Sequence, residues 1–381
     1  MHEASKRLAV PLLAGIVGST GSAQAVEVVA ERIATEHFDL RLERIAEGLE
    51  HPWSVAMLPD GRFLVSERPG RLALVEEDGS VTHLDGLPEI RARIQGGLLD
   101  VVLHPQYGDG EHDWIYFTWS KPEGNGQTAT ALGRARLDDA RLSDVETLFV
   151  QGQPADPGRH YGSRLAWLPD GTLLMSIGER GTPARAQDSR DHAGSILRLT
   201  ETGDVPDDNP FVDDEDTLDE IFTLGNRNAQ GLIVTQQGEA WATEHGPLGG
   251  DELNLLVGGE NYGWPEVSLG LGYGSRNPIG EDSLPGMRDP VHVFEERFAP
   301  SGLAQVTAET FDAWQGNLLA GGLHSEQLHR LVLEGDQVSD WEMVLDGQIG
   351  RIRDVRQGHD GAIYLLNDDP QGSLYRLRPV D

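Results

Sequence analysis

The sequence predicts an all-β chain folded as a six-bladed β-propeller. Six segments share one pattern, in which a polar turn carrying Asp-Gly or Gln-Gly leads into a strand of alternating apolar residues. The chain has 47 glycines and 21 prolines, which suits a fold rich in turns. Because the strand units are spread over the whole chain, they favour a radial ring over a row of separate domains.

The repeats follow one another in order. The first has the turn Pro59-Asp60-Gly61 and then strands at 63–67 and 71–75. The other five predicted strands follow similar turns, at 114–119, 173–177, 240–243, 318–320 and 362–366. Six blades leave about 59 residues for each, more than the roughly 40 to 50 of compact propeller repeats. Long insertions are therefore expected, and the Gly-, Pro- and Asp-rich stretches 204–219 and 269–289 are the candidates.

The first 25 residues resemble a secretory signal peptide rather than part of the propeller. Lys6 and Arg7 precede an apolar run at 8–17, and small residues then lead to the cleavage pattern Ala23-Gln24-Ala25. The apolar run is well short of the roughly 20 residues that span a bilayer, and no later stretch is long enough. We expect a signal peptide at 1–25, a single propeller domain at 26–381, no membrane insertion, and a periplasmic or secreted protein.

Composition excludes several classes of function. The chain has 30 Lys and Arg against 63 Asp and Glu, a formal net charge of −33, so nucleic acid is not an expected partner. Lys6 and Lys121 are its two lysines, which argues against phosphate-binding lysine motifs and Schiff-base catalysis. With no cysteine, there is no thiolate site, and any metal must bind oxygen or imidazole.

Polar residues interleaved with glycine mark three stretches that a propeller strand does not require. They are 94–100, 159–164 and 224–231, the last followed by further motifs at 243–252 and 261–265. The order Gly-Asn-Arg-Asn-x-Gln-Gly, Glu-His-Gly-Pro-x-Gly-Gly-Asp-Glu, Asn-Tyr-Gly-Trp-Pro resembles the soluble PQQ-dependent aldose sugar dehydrogenases, relatives of soluble quinoprotein glucose dehydrogenase. The resemblance extends from about His51 to the C-terminus.

This resemblance implies a six-bladed propeller with the cofactor on its central axis. It implies PQQ and calcium as cofactors, an aldose oxidised at C1 to a lactone, and an electron acceptor that the sequence does not identify. Such chemistry needs a base, and a neutral imidazole can take a sugar proton near neutral pH.

The resemblance also assigns roles to residues of this chain. His160 matches the general base and Arg227 a catalytic residue beside the quinone oxygens, with a structural arginine paired to a carboxylate as the alternative for Arg227. The residues that match cofactor contacts are Gln95, Arg227, Asn228, Tyr273, His324, Arg351 and Arg353. Gly246 and Pro247 match carbonyl ligands of the cofactor's calcium, and Glu252 and Tyr262 match a second, structural calcium site. Arg351 and Arg353 alternate on one expected strand and should therefore face the same side.

Three residues depart from the glucose dehydrogenase pattern. His324 stands where relatives often carry a lysine, and Arg159 and Glu179 stand where glucose dehydrogenases have aspartates. Glu179 is typical of the aldose sugar dehydrogenase branch, which favours broad aldose oxidation. Its carboxylate could orient His160 or merely close a turn.

Two other functions remain open from the sequence. A calcium-dependent lactonase can use the same fold, and it would not need arginines around a trianion. A non-catalytic extracellular binding propeller would have lost the cofactor. Arg227, Arg351 and Arg353 favour the dehydrogenase. A monomer and a homodimer are both compatible with the sequence.

Overall fold

The computed structural model describes residues 26–295 and 297–380, so the predicted signal peptide at 1–25 lies outside the described residues. The described part of the chain contains 25 strands, three 3₁₀ helices and no α-helix. Within it, no helix is long and apolar enough to cross a membrane.

The strands follow in chain order. They are β1 (Glu27–Ala34), β2 (Asp39–Leu49), β3 (Pro52–Met57), β4 (Phe63–Glu67), β5 (Arg71–Val75), β6 (Val81–Leu84), β7 (Leu98–Leu103), β8 (Ile115–Pro122), β9 (Thr128–Asp138), β10 (Arg141–Val150), β11 (Leu165–Trp167), β12 (Leu173–Ile177), β13 (Ser195–Leu199), β14 (Ile221–Thr223), β15 (Ala229–Val234), β16 (Ala240–Glu244), β17 (Glu252–Leu256), β18 (His292–Val293), β19 (Pro300–Gln305), β20 (Leu318–Gly322), β21 (Gln327–Glu334), β22 (Gln337–Asp346), β23 (Ile352–Gln357), β24 (Ile363–Asn367) and β25 (Gly372–Pro379). The 3₁₀ helices are Gly124–Gly126, Pro183–Gln187 and Glu309–Trp314.

Six antiparallel sheets form the blades, which confirms the predicted six-bladed propeller. Five sheets contain four consecutive strands each, β3–β6, β7–β10, β11–β14, β15–β18 and β19–β22. The sixth has the order β1-β2-β25-β24-β23, so that strands from both ends of the chain pair in one sheet. The first strands of the blades contact one another in a closed ring, from β3 through β7, β11, β15, β19 and β23 back to β3.

The predicted turns lie before the second strand of every blade. Their six glycines have φ between 83° and 91°, a left-handed conformation that disfavours residues with a Cβ. They are Gly61, Gly110, Gly171, Gly238, Gly316 and Gly361. The two predicted insertions are also confirmed, since 204–219 connects β13 to β14 and 269–289 connects β17 to β18.

The core lies between blades rather than in one central mass. Each pair of neighbouring blades encloses its own cluster of buried apolar side chains. Between the fourth and fifth blades, for example, Trp241 and Leu253 pack with Leu303 and Leu318. This arrangement buries both faces of each blade and leaves the axis to polar groups.

A buried charge network joins the innermost strands near the axis. Arg164 lies 2.9 Å from Asp354 and 3.3 Å from Asp100. Arg356 pairs with the same two carboxylates, at 3.1 and 2.9 Å, and the Ser54 hydroxyl donates to Asp100 at 2.6 Å. Because these residues come from four blades, the network ties the ring together.

Candidate active site

The residues singled out from the sequence lie mainly in segments that lead into innermost strands. Gln95 precedes β7, His160 precedes β11, Arg227 and Asn228 precede β15, and Arg351 precedes β23. Direct contacts between these segments show that several of them meet at one end of the propeller. The ring of innermost strands thus brings residues far apart in the sequence into one site.

His160 is held from two sides. Its backbone N–H donates to Gln95 Oε1 at 2.7 Å, and its Nδ1 lies 2.5 Å from Glu179 Oε2. The residue has φ of 53°, an unusual conformation for a side chain other than glycine. A carboxylate accepts the Nδ1 proton, so Nε2 is left as the nitrogen that can accept a proton from a substrate.

Glu179 performs both functions that the sequence left open. Its Oε2 bonds His160 and also accepts the backbone N–H of Gly181 at 2.7 Å. Its own N–H donates to the carbonyl of Arg227 at 2.9 Å. The buried carboxylate therefore orients the imidazole, closes its own turn and connects to the segment that carries Arg227.

Burial lowers the pKa of His160 below its ordinary value. The contact with Glu179 raises the pKa, whereas the positive charges of Arg227 and Arg159 lower it further. The imidazole is consequently neutral near neutral pH, the state that a general base requires.

Arg227 is a buried cation in a largely polar environment. Its Nη1 donates to the carbonyl of His245 at 2.9 Å, and its guanidinium lies 5.2 Å from the centre of the Trp264 ring. Nε is buried and has no hydrogen-bond partner in the described part of the chain. Among the described residues, Arg227 forms no ion pair with a carboxylate, which argues against the purely structural alternative.

Asn228 and His245 complete the surroundings of Arg227. Asn228 Oδ1 accepts the N–H of Gly162, two residues after His160, at 3.1 Å. His245 is not an additional cation, because burial lowers its pKa to about 3. Its Nε2 lies 2.6 Å from the carbonyl of Pro300, which fixes the neutral ring.

A cavity of about 450 Å³ lies beside these loops. Its lining consists of His51, Trp53, Arg68, Ile94, Gln95, Gln230, Arg351, Arg353, Asp368, Asp369 and Pro370. Gln95 is the link to the catalytic candidate, since the same side chain lines the cavity and accepts from His160. The three guanidinium groups make this cavity suited to an anion.

Arg351 and Arg353 face the same side, as the alternation predicted. Both donate to Asp368 Oδ2, at 3.3 Å from Arg351 and 2.7 Å from Arg353. His51 Nδ1 contacts the other oxygen of Asp368 at 2.8 Å. Although burial raises the pKa of Asp368, Arg353 and His51 hold it below its ordinary value, so this carboxylate is ionised. Arg353 Nε is buried without a hydrogen-bond partner among residues 26–295 and 297–380.

Gly246 and Pro247 form a tight turn after β16. The N–H of Gly246 donates to Asp251 Oδ1 at 2.9 Å. In the described chain, no hydrogen bond to the carbonyl oxygen of Gly246 or Pro247 is formed, so both oxygens are available to a ligand. Backbone carbonyls are ligands that hard cations such as Ca²⁺ accept.

Glu252 lies directly opposite Glu244 in the pairing of β16 and β17. Burial raises the pKa of both side chains, and the charge of Glu252 raises that of Glu244 further. The hydroxyl of Tyr262 is already used, since it donates to the Leu255 carbonyl at 2.6 Å. The backbone carbonyl is therefore the oxygen through which the sequence predicts that Tyr262 binds a metal, and this role remains a prediction. No cluster of three or more His, Asp or Glu side chains with metal-binding geometry occurs in the described ranges.

Among the described residues, Tyr273 and His324 form no hydrogen bond or ion pair with the other candidates. Tyr273 is 65% exposed in the insertion between β17 and β18. His324 lines a second cavity, of about 510 Å³, together with Gln327, His329 and Trp341. Its neighbour Leu323 accepts a hydrogen bond from Arg351 at 3.1 Å, which joins the two cavities through one contact. Contacts of Tyr273 and His324 with a cofactor remain predictions.

Sequence reasoning missed Glu244, Asp368, His51 and Arg68. The sequence could have indicated Glu244, because it belongs to the Glu-His-Gly-Pro motif. Its carboxylate accepts the N–H of Arg227 at 2.5 Å. No local pattern marks Asp368, which meets His51 across 317 residues of sequence. That pairing arises because the chain ends close the ring.

Comparison with known proteins gives a consistent result. A sequence profile described as Glucose / Sorbosone dehydrogenase matches residues 49–376. The chain is 35% identical to Aldose sugar dehydrogenase YliI of Escherichia coli over 345 residues, 89% of this chain and 93% of that protein. The crystal structure of the soluble aldose sugar dehydrogenase from Escherichia coli in the apo-form is similar, with a TM-score of 0.86, 35% identity, and coverage of 90% and 100%. The PQQ-bound form of aldose sugar dehydrogenase from Streptomyces coelicolor has a TM-score of 0.75 and 27% identity, with coverage of 94% and 99%.

Proposed function

Because the chain belongs to the glucose/sorbosone dehydrogenase family, we propose that it is a PQQ- and calcium-dependent aldose sugar dehydrogenase. It oxidises aldoses at C1 to lactones. The observation that carries this proposal is the His160–Glu179 pair, joined through Gln95 to a cavity that holds three arginines.

The residues present fit PQQ, which carries three carboxylates. Arg227 and Arg353 each have a buried Nε with no protein partner in the described chain, so each has a donor to offer an anion. Arg351, Gln95 and Asn228 would complete the contacts. Bound PQQ supplies a quinone that accepts the hydride from C1 of the sugar.

The residues also fit calcium. The free carbonyl oxygens of Gly246 and Pro247 suit an ion beside the cofactor. The facing carboxylates of Glu244 and Glu252 support a second site with Glu252 and the carbonyl of Tyr262 as ligands. A cation there would offset the repulsion between the two facing carboxylates.

Four residues of the chain have separate roles in the proposed reaction. His160 accepts the proton of the C1 hydroxyl at Nε2, while Glu179 holds the ring and stabilises the imidazolium that forms. Arg227 donates to oxygen atoms on which negative charge develops, and its fixed position means that no reorganisation is needed. Asn228 accepts a hydrogen bond from the N–H of Gly162 and so holds the loop that carries the base, His160.

Reconstitution tests the function. Purified protein is mixed with PQQ and calcium, and the reduction of an artificial dye is followed with a panel of aldoses. We expect sugar-dependent reduction that requires both additions. No reduction with any aldose, or hydrolysis of lactones with calcium alone, would overturn the proposal and favour a lactonase.

We propose that the protein is exported, on the strength of the pattern at 1–25. N-terminal sequencing of protein recovered from the periplasm or medium should begin at Val26. Accumulation in the cytoplasm with Met1 retained would contradict export.

A further inference from the structure

We propose that Arg68, on the first blade, is a further anchor for a carboxylate of the bound cofactor, in the cavity to which the neighbouring sixth blade contributes Arg351 and Arg353. This inference rests on the proposed function. Nothing in the motif pattern marks Arg68, which lies in the turn between β4 and β5 of the first blade.

The backbone holds Arg68 firmly at the cavity. Its N–H donates to the carbonyl of His51 at 3.0 Å, and its Nη1 donates to the carbonyl of Ile94 at 2.7 Å. Gly97 packs so closely that an added Cβ would lie 1.7 Å from the carbonyl oxygen of Arg68. The guanidinium therefore has a defined position beside Gln95 and Arg353 in the lining.

Of the three arginines that line the cavity, Arg68 is the one that has no acidic partner among the described residues. Arg351 and Arg353 share Asp368, which also contacts His51. In the described part of the chain, Arg68 forms no ion pair, and Ile94 supplies a neutral carbonyl. Burial lowers the pKa of Arg353, and repulsion from Arg351 and Arg68 lowers it further. The positive charges of the three arginines are therefore close enough to interact.

The net charge of the protein makes the unpaired positive charge of Arg68 more significant. An anionic cofactor approaches a chain of formal charge −33, and local cations must outweigh that repulsion. Asp368 offsets much of the charge of Arg351 and Arg353. Arg68 supplies positive charge that no carboxylate in the cavity contacts directly.

Arg68 also has a simpler role available, that of bracing the loop at Ile94. The two roles make different demands on the side chain. A brace needs one hydrogen-bond donor, which glutamine retains. An anchor for an anion needs the positive charge, which lysine retains.

Binding of PQQ to the calcium-loaded protein separates these roles without measuring activity. Quenching of tryptophan fluorescence reports binding, and Trp53 lines the same cavity. We expect Arg68→Gln to weaken binding by about tenfold or more, since a charge-assisted hydrogen bond is lost, and Arg68→Lys to weaken it less. The salt dependence of Kd should become shallower in Arg68→Gln.

Arg93→Gln is the matched control, because Arg93 is an exposed arginine of the neighbouring loop that pairs with Asp156. Its Kd for PQQ should equal that of the wild type. If Arg68→Gln binds PQQ as tightly as the wild type, or Arg68→Lys binds as weakly as Arg68→Gln, the anchor role is wrong. If the wild type itself fails to bind PQQ, the proposed function fails together with this inference.

Discussion

Replacing Glu179 with glutamine tests how His160 is held as a base. Glutamine keeps the size of the side chain and an oxygen that can accept from His160 Nδ1 and the N–H of Gly181, so the turn is preserved. The negative charge is lost. The variant therefore separates the charge of Glu179 from its role in the local fold.

The expected fall in kcat/KM follows from the hydrogen bond between Glu179 and His160. A hydrogen bond to a charged group contributes about 1.5 to 3 kcal/mol, and the imidazolium that forms during proton abstraction would lose this stabilisation. Since each 1.36 kcal/mol is tenfold in rate, kcat/KM should fall by about 10- to 150-fold.

The pH dependence should change in a defined direction. Burial lowers the pKa of His160 and Glu179 opposes that effect. Removing the carboxylate therefore lowers the pKa further, and the acid limb of the kcat/KM profile should move to lower pH. Protonated His160 cannot act as base, so the limb reports this group.

The assay is kcat/KM for an aldose from pH 4 to pH 9 with saturating PQQ and calcium. The control is Glu201→Gln, which removes a carboxylate 3.1 Å from His104 Nε2, outside the site. That variant should match the wild type in rate and profile. An unchanged rate in Glu179→Gln, or a slower rate with an unmoved acid limb, would refute the assigned role of Glu179.

Other predictions concern the network at the axis and the metal sites. Asp100→Ala should lower the free energy of unfolding by about 3 to 5 kcal/mol in urea titrations, because the buried Arg164 and the partly buried Arg356 lose a partner. The exposed control Asp282→Ala should change the free energy of unfolding by less than about 0.5 kcal/mol. Equal effects of the two substitutions would contradict a stabilising role of the network. Calcium should raise Tm, since a site filled at 100 times its Kd stabilises the fold by about 2.7 kcal/mol. In Glu252→Gln, that increase in Tm should shrink, and an undiminished increase would place structural calcium elsewhere.

The propeller could be predicted from the sequence because each repeat carries its own local signal. A glycine with positive φ must stand in the turn before the second strand, as at Gly61 and Gly361, and alternation then marks the strand. The insertion between β13 and β14 was likewise visible as a polar stretch. Local conformational requirements of this kind leave a trace in a single chain.

The site was predictable where its residues lie in contiguous motifs and not where the ring brings them together. His160, Arg227 and Asn228 come from motifs, and the structure places all three near one another. Asp368 and Arg68 meet the site through the closure of the blades, and a lone Asp or Arg carries no local signature. Their roles depend on charges from several blades, which sequence spacing alone does not reveal.

A single-turnover measurement on PQQ-loaded protein tests the proposed role of His160 without contributions from later steps. Wild type and His160→Ala are loaded with PQQ and calcium, binding is confirmed by fluorescence, and each is mixed rapidly with an aldose while cofactor absorbance is followed. We expect prompt reduction in the wild type and a rate lower by about 10²- to 10⁴-fold in His160→Ala with cofactor still bound. Reduction of the cofactor at the wild-type rate in His160→Ala would contradict the assignment of His160 as the base.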